Sequence, residues 1–131
     1  MSKKDLHISI FSFGYKYGMP DEVNYLFDVR FLPNPYWAGE LRDKNGLEPD
    51  VADYVLKSRA GEQFFGRFLD FVQALADENA GADKEKMVIA VGCTGGRHRS
   101  VAVAEKLARE LKTDIPVKLE HRDIEKDVSI R

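Results

Sequence analysis

The most constraining stretch of this sequence is Met87 to Leu111, MVIAVGCTGGRHRSVAVAEKLAREL. A short apolar run, Met87 to Val91, passes directly into a glycine-rich turn, after which Val101, Ala104, Leu107, Ala108 and Leu111 recur at helical spacing. The order reads as strand, tight loop, helix. The loop gathers Cys93, Thr94, Gly95, Gly96, Arg97, His98, Arg99 and Ser100 at the start of the helix. A helix N-terminus offers N–H groups without intrahelical partners and a partial positive charge, and small residues let its backbone approach a ligand closely. The stretch therefore predicts an anion site, with phosphate as the simplest occupant.

A chain of 131 residues, 44% hydrophobic and 32% charged, has the make-up of one soluble globular domain, expected to span residues 1–131. No apolar run nears the roughly 20 residues of a membrane-spanning helix, and the opening MSKKDLH lacks the apolar core of a signal peptide. A cytoplasmic protein without membrane contact is expected. Cys93 is the only cysteine, which excludes an intramolecular disulfide and a zinc cluster built from several thiolates. His7, His98 and His121 show no paired spacing, so neither a metal site nor a cofactor is expected. The formal net charge of −2 lacks the basic excess usual for a protein that grips nucleic-acid backbone, although a local patch can act inside a neutral total.

In chain order, Leu6 to Phe13 reads as a first strand and GYKYGMP as a loop that can line a site beside the main motif. Tyr25 to Leu32 reads as a second strand, with Phe27, Val29 and Phe31 alternating with Asp28 and Arg30. Asp28 and Arg30 form a solvated pair, or else they project toward the loop, where Arg30 adds a cation that Asp28 orients. Pro33-Asn34-Pro35 ends the strand, and Tyr36 and Trp37 follow, Trp37 as a core or lid anchor. Ala38 to Glu48 reads as loop, Pro49 to Arg59 as a helix, Gly61 as a break, and Glu62 to Asn79 as a longer helix whose phenylalanine stripe is core packing. Ile115 to Leu119 supplies a last strand. Strands alternating with helices predict a three-layer α/β sandwich with a mixed, mostly parallel sheet built around the strand, phosphate loop and helix unit. Ligands in such folds sit at the carboxyl ends of the strands, where GCTGGRHRS falls.

Two chemistries fit this loop. As Cys-x5-Arg-Ser it resembles the phosphate loop of cysteine-dependent phosphatases, with Cys93 as nucleophile, Arg99 clamping phosphoryl oxygens and Ser100 assisting the leaving sulfur. Gly92 stands where those enzymes usually carry histidine, and no proton donor is singled out between Asp28 and Asp43. The other chemistry is binding without turnover, in which Thr94, Gly95, Gly96, Arg97, His98, Arg99 and Ser100 hold a phosphorylated metabolite or nucleotide and Cys93 is a small buried residue at the strand end. The nucleotide P-loop ending Gly-Lys-Ser/Thr is missing.

SFGYKYGMP at 12–20, DVRFLPNPYW at 28–37, IAVGCTGGRHRSV at 89–101 and HRD at 121–123 resemble the C-terminal domain of the RapZ/YvcJ family, in the same order and nearly end to end. The resemblance implies a domain that senses an amino-sugar phosphate, assembles into homo-oligomers, and acts as an adapter presenting a small regulatory RNA to an RNase. Carried over by position, the family's phosphate-sugar pocket falls on Thr94, Gly95, His98 and Arg99, and Tyr36 stands where the family's turn has histidine. Lys118, Arg122 and Lys126 are the candidates for RNA contact in a tail diluted by Asp123, Glu125 and Asp127. The family's N-terminal ATPase motif has no counterpart in the sequence, so ATP hydrolysis is not implied.

Overall fold

A computed structural model of the chain describes residues 6–126, which leaves Asp127 outside the described residues. In chain order the elements are β1 (His7–Gly14), β2 (Tyr25–Asp28), α1 (Pro49–Leu56), α2 (Arg59–Ala80), β3 (Lys86–Cys93), α3 (Arg99–Glu110) and β4 (Val117–His121). Single 3-10 turns occupy Tyr15–Tyr17 and Pro35–Trp37. The strands form one four-stranded sheet in the order β2-β3-β1-β4. All its pairings are parallel, rather than mixed.

The strand order dictates where the layers lie. Crossovers between parallel strands are right-handed. The steps from β2 to β3 and from β3 to β4 run the same way across the sheet, so α1, α2 and α3 fall on one face. There Ile8 and Ile10 of β1, Met87, Ile89 and Val91 of β3, and Phe65, Phe68, Val72, Val103 and Leu107 of the helices form one core. The step from β1 to β2 runs backwards, which sends its link, residues 15–24, over the opposite face. The Tyr15 ring lies on Gly92, where a Cβ would come within 2.8 Å of it and within 2.4 Å of Phe13. Asn24 then pairs with Val88 through bonds of 2.9 and 2.7 Å. The α/β sandwich is the one expected, but its third layer is this short link and not a set of helices.

The structure departs from the sequence reading in several details. β2 stops at Asp28, because the chain turns there: the Asp28 carboxylate accepts the Arg30 N–H and Val29 O accepts the Leu32 N–H. The break between α1 and α2 lies at Lys57–Ser58, before Gly61. Ser58 caps α2 by accepting the Gly61 N–H at 3.0 Å, so the glycine belongs to the first turn. The phenylalanine stripe splits. Phe65 and Phe68 are buried, whereas Phe71 is 55% exposed beside Phe27 and Phe31 at the β2 edge. Among the described residues no helix is long and apolar enough to cross a membrane.

Leu107 is fully buried at the centre of the contact between α3 and the sheet. Leu107→Ala is expected to lower the unfolding free energy by about 2–5 kcal/mol, read from the midpoint of urea denaturation.

Candidate anion site

Parallel pairing brings the ends of β1 and β3 together, Gly14 opposite Cys93, with Asp28 of β2 opposite Gly92. The loop after β3 turns back over the end of β1. Gly96 takes a positive φ of 76°, and a Cβ on it would lie 2.6 Å from the Gly14 nitrogen. A Cβ on Gly14 would in turn lie 2.4 Å from the Gly95 carbonyl carbon, so neither position admits a side chain. Above this contact opens a cleft of about 330 Å³ lined by Lys16, Asn34, Tyr36, Trp37, Cys93, Thr94, Gly95, Arg97, His98 and Arg99. No carboxylate is among these residues.

Arg99 opens α3 and is only 5% exposed. Its Nη1 donates to the carbonyls of Arg30 and Leu32 at 2.6 and 3.3 Å, and Nη2 donates to Thr94 Oγ1 at 3.3 Å. Every one of these acceptors is neutral. The buried Nε–H has no acceptor among the described residues. Asp28 feels the Arg99 charge, but its carboxylate is committed to the Arg30 guanidinium at 2.7–3.1 Å. The hydrogen bonds from Arg30, more than the charge of Arg99, hold the Asp28 carboxyl below its ordinary value against the opposing effect of burial. His98 at the N-cap provides no side-chain cap, and its Nε2–H donates to the Arg42 carbonyl at 3.0 Å.

Cys93 is 2% exposed at the cleft floor. Its thiol donates to Ser100 Oγ at 3.1 Å, and its sulfur accepts the Ser100 N–H at 3.3 Å. Ser100 therefore acts on Cys93 and does not line the cleft. Arg97 does line it, yet its guanidinium also fastens the loop, donating to the carbonyls of Asp43 and Lys44 at 2.8 and 3.2 Å and of Ile124 at 2.9 Å. Arg30 is not a second cation in the cleft. Its guanidinium lies 3.8 Å over the Tyr15 ring and pairs with Asp28, while its carbonyl supports Arg99. Trp37, read as a core or lid anchor, is 75% exposed at the rim. Tyr36 lines the cleft beside it, 5.0 Å away edge to face.

Asp123 is the residue whose importance the sequence conceals. Counted as a charge that dilutes the tail, it is fully buried and ties the segment after β4 to the end of β1, accepting the Gly14 N–H at 2.7 Å. Arg122 and Lys126 donate to the same carboxylate, both at 2.8 Å. Lys118, on β4, faces Glu120 at 3.5 Å. These three basic residues do not line the cleft and are paired with carboxylates. Only the HRD tripeptide hinted at Asp123, and a tripeptide does not tell a buried carboxylate from a solvated one. Among the described residues no cluster of His, Cys, Asp and Glu is arranged to hold a metal ion.

The family model of the RapZ C-terminal domain matches residues 6–125. The chain belongs to that family. A protein of Nitratidesulfovibrio vulgaris named nucleotide-binding protein is 48% identical over 123 residues, covering 93% of this chain and 42% of the relative. Similarly named proteins of Brevibacillus brevis and Pediococcus pentosaceus are 44% and 47% identical over 122 and 123 residues, covering 93% and 92% of this chain and 42% and 41% of those proteins. The chain thus spans less than half the length of these relatives. As a RapZ C-terminal domain it carries the whole of the cleft described above within the matched residues.

Burial pushes the Asp123 carboxyl up, but the hydrogen bonds from Arg122, Lys126 and the Gly14 amide outweigh it and hold the group below its ordinary value of 3.8. A carboxylate depressed on folding contributes stability that is present above the ordinary value and lost as pH falls through the folded one. Asp123→Asn is expected to lower stability at pH 7 by roughly 1.5–3 kcal/mol and to flatten the acid limb of stability below pH 4. Urea midpoints from pH 2 to 7 measure both effects.

Proposed function

We propose that the cleft binds the phosphate of a phosphorylated metabolite, an amino-sugar phosphate or a nucleotide, and that the domain is a binding and sensing module without turnover. The observation that carries this reading is Arg99, a 95% buried guanidinium with neutral acceptors, one unsatisfied N–H, and no ion-pair partner among the described residues. A buried charge without an ion-pair partner is costly, and a bound phosphate supplies one. Lys16, Thr94, Gly95 and His98 line the same space, and the positive end of α3 adds to their field. The relatives' name, nucleotide-binding protein, agrees with a phosphorylated ligand.

The phosphatase reading of Cys93 and Arg99 has less support. No carboxylate lines the cleft to protonate a departing alcohol, and the contact of Ser100 with Cys93 fits both readings. The RNA-adapter role that the family resemblance implies rests here on Lys118, Arg122 and Lys126. Their pairing with Glu120 and Asp123 leaves little net positive charge for a phosphate backbone. Adapter function and self-association are therefore secondary parts of the proposal. A gel shift with structured RNA at low salt tests the first, and sedimentation tests the second.

The anion reading is tested by thermal unfolding in the presence of phosphate monoesters. A ligand at 100 times its dissociation constant is expected to add about 2.7 kcal/mol to stability. Arg99→Ala and Thr94→Val are both expected to abolish the shift. Thr94→Val leaves the carbonyl contacts of Arg99 in place and so separates loss of the ligand from loss of the fold. An undiminished shift in both variants overturns the assignment. Hydrolysis of an aryl phosphate that disappears in Cys93→Ser overturns the absence of turnover.

A further inference from the structure

The cleft contains a feature that anion binding does not use. Trp37 is the only tryptophan in the chain and is 75% exposed, more than any other large hydrophobic side chain described. An indole presents a large apolar face with an electron-rich surface, and such faces are ordinarily covered. The local sequence fixes the backbone that carries this one. Pro33 and Pro35 flank Asn34, whose Oδ1 accepts the Tyr36 N–H at 3.1 Å and whose carbonyl accepts the Trp37 N–H at 3.1 Å. The Ala38 N–H closes the turn on the Pro35 carbonyl at 2.9 Å. Arg42 then clamps Tyr36, donating to its carbonyl at 2.9 Å with the guanidinium 4.7 Å over its ring. Tyr36 in turn meets the indole edge to face at 5.0 Å.

The same segment begins at the anion end of the cleft, where the Arg30 and Leu32 carbonyls grip Arg99. Cation and indole are thus fixed relative to each other by one short stretch of chain. The polar lining is also asymmetric. The loop end carries Arg97, His98 and Arg99, whereas the rim offers Asn34, Tyr36, Trp37 and Lys16. A phosphate held at Arg99 directs the rest of its molecule toward that rim. We propose that Trp37 is the specificity-determining platform of this site: the ring of the ligand packs face-on against the indole while its phosphate sits at Arg99. The cleft then selects ring-bearing phosphomonoesters, sugar or nucleoside, over inorganic phosphate and acyclic phosphates. The inference rests on the anion-site reading above. Stacking of a base on an aromatic side chain, measured by replacement with alanine, corresponds to a change in affinity on the order of tenfold. An amino group on a sugar ring gains from the indole face in the same way.

Because Trp37 is the sole tryptophan, its emission reports directly on the platform. The wild-type chain, Trp37→Ala and Trp37→Phe are titrated by calorimetry with inorganic phosphate, glycerol 3-phosphate, a hexosamine 6-phosphate and adenosine 5′-monophosphate, and the wild type also by tryptophan fluorescence. At least one ring-bearing probe is expected to bind about tenfold more tightly than glycerol 3-phosphate and to change the emission. Trp37→Ala is expected to erase that preference and Trp37→Phe to keep part of it, while inorganic phosphate, which does not reach the rim, binds all three proteins alike. The ring probe that shows the preference separates sugar from nucleobase. Equal binding of ring-bearing and acyclic probes, or a preference that survives Trp37→Ala, overturns the platform and leaves the anion site standing. Failure of every probe, inorganic phosphate included, overturns the anion site and the platform with it.

Discussion

A wholly parallel sheet sends the carboxyl ends of all its strands to one edge, and the rest of this molecule depends on that constraint. Gly14 and Cys93 are register partners, Asp28 lies opposite Gly92, and His121 lies opposite Ser12. The loops that leave these positions must share one small region. The loop after β3 reaches that region only because Gly14 and Gly96 let two backbones touch. Arg97 then binds the carbonyls of residues 43, 44 and 124, and Asp123 binds the Gly14 amide. Segments distant in sequence are locked around the start of α3, and the cleft is the space their side chains enclose.

How much of this could be read from the sequence depends on whether the signal was local. The strand, loop and helix at 87–111 declare themselves through apolar period and glycine spacing, and the structure returns them nearly unchanged. Thr94, Gly95, Arg97, His98 and Arg99 are gathered at the cleft by that single turn, and Tyr36 joins them across the neighbouring connection. What the sequence concealed was long-range. Whether Arg30 enters the cleft depends on the path of the link from residue 15 to 24, which brings the Tyr15 ring beneath its guanidinium. A strand pattern of alternating residues does not contain that path. The exposure of Trp37 likewise follows from a turn built by Asn34 and Arg42, and the burial of Asp123 from the closeness of the β1 and β4 ends.

Asp123 and Arg99, two of the buried charges at this edge, make an instructive pair. Asp123 is fully buried, and its charge is met by Arg122, Lys126 and a backbone amide, so its cost is offset inside the protein. Arg99 is almost as buried, and its neighbours supply only carbonyls and a hydroxyl. Structural charges are normally satisfied where they stand, and the exceptions concentrate where a protein meets its ligand. Arg97, two residues earlier, is also buried and also donates to carbonyls, and it is the one that ties the surrounding segments together. In the binding reading proposed above, Arg99 has a different task. Its guanidinium is held in place by neutral groups that orient it without cancelling its charge, so the charge remains available to whatever enters the cleft.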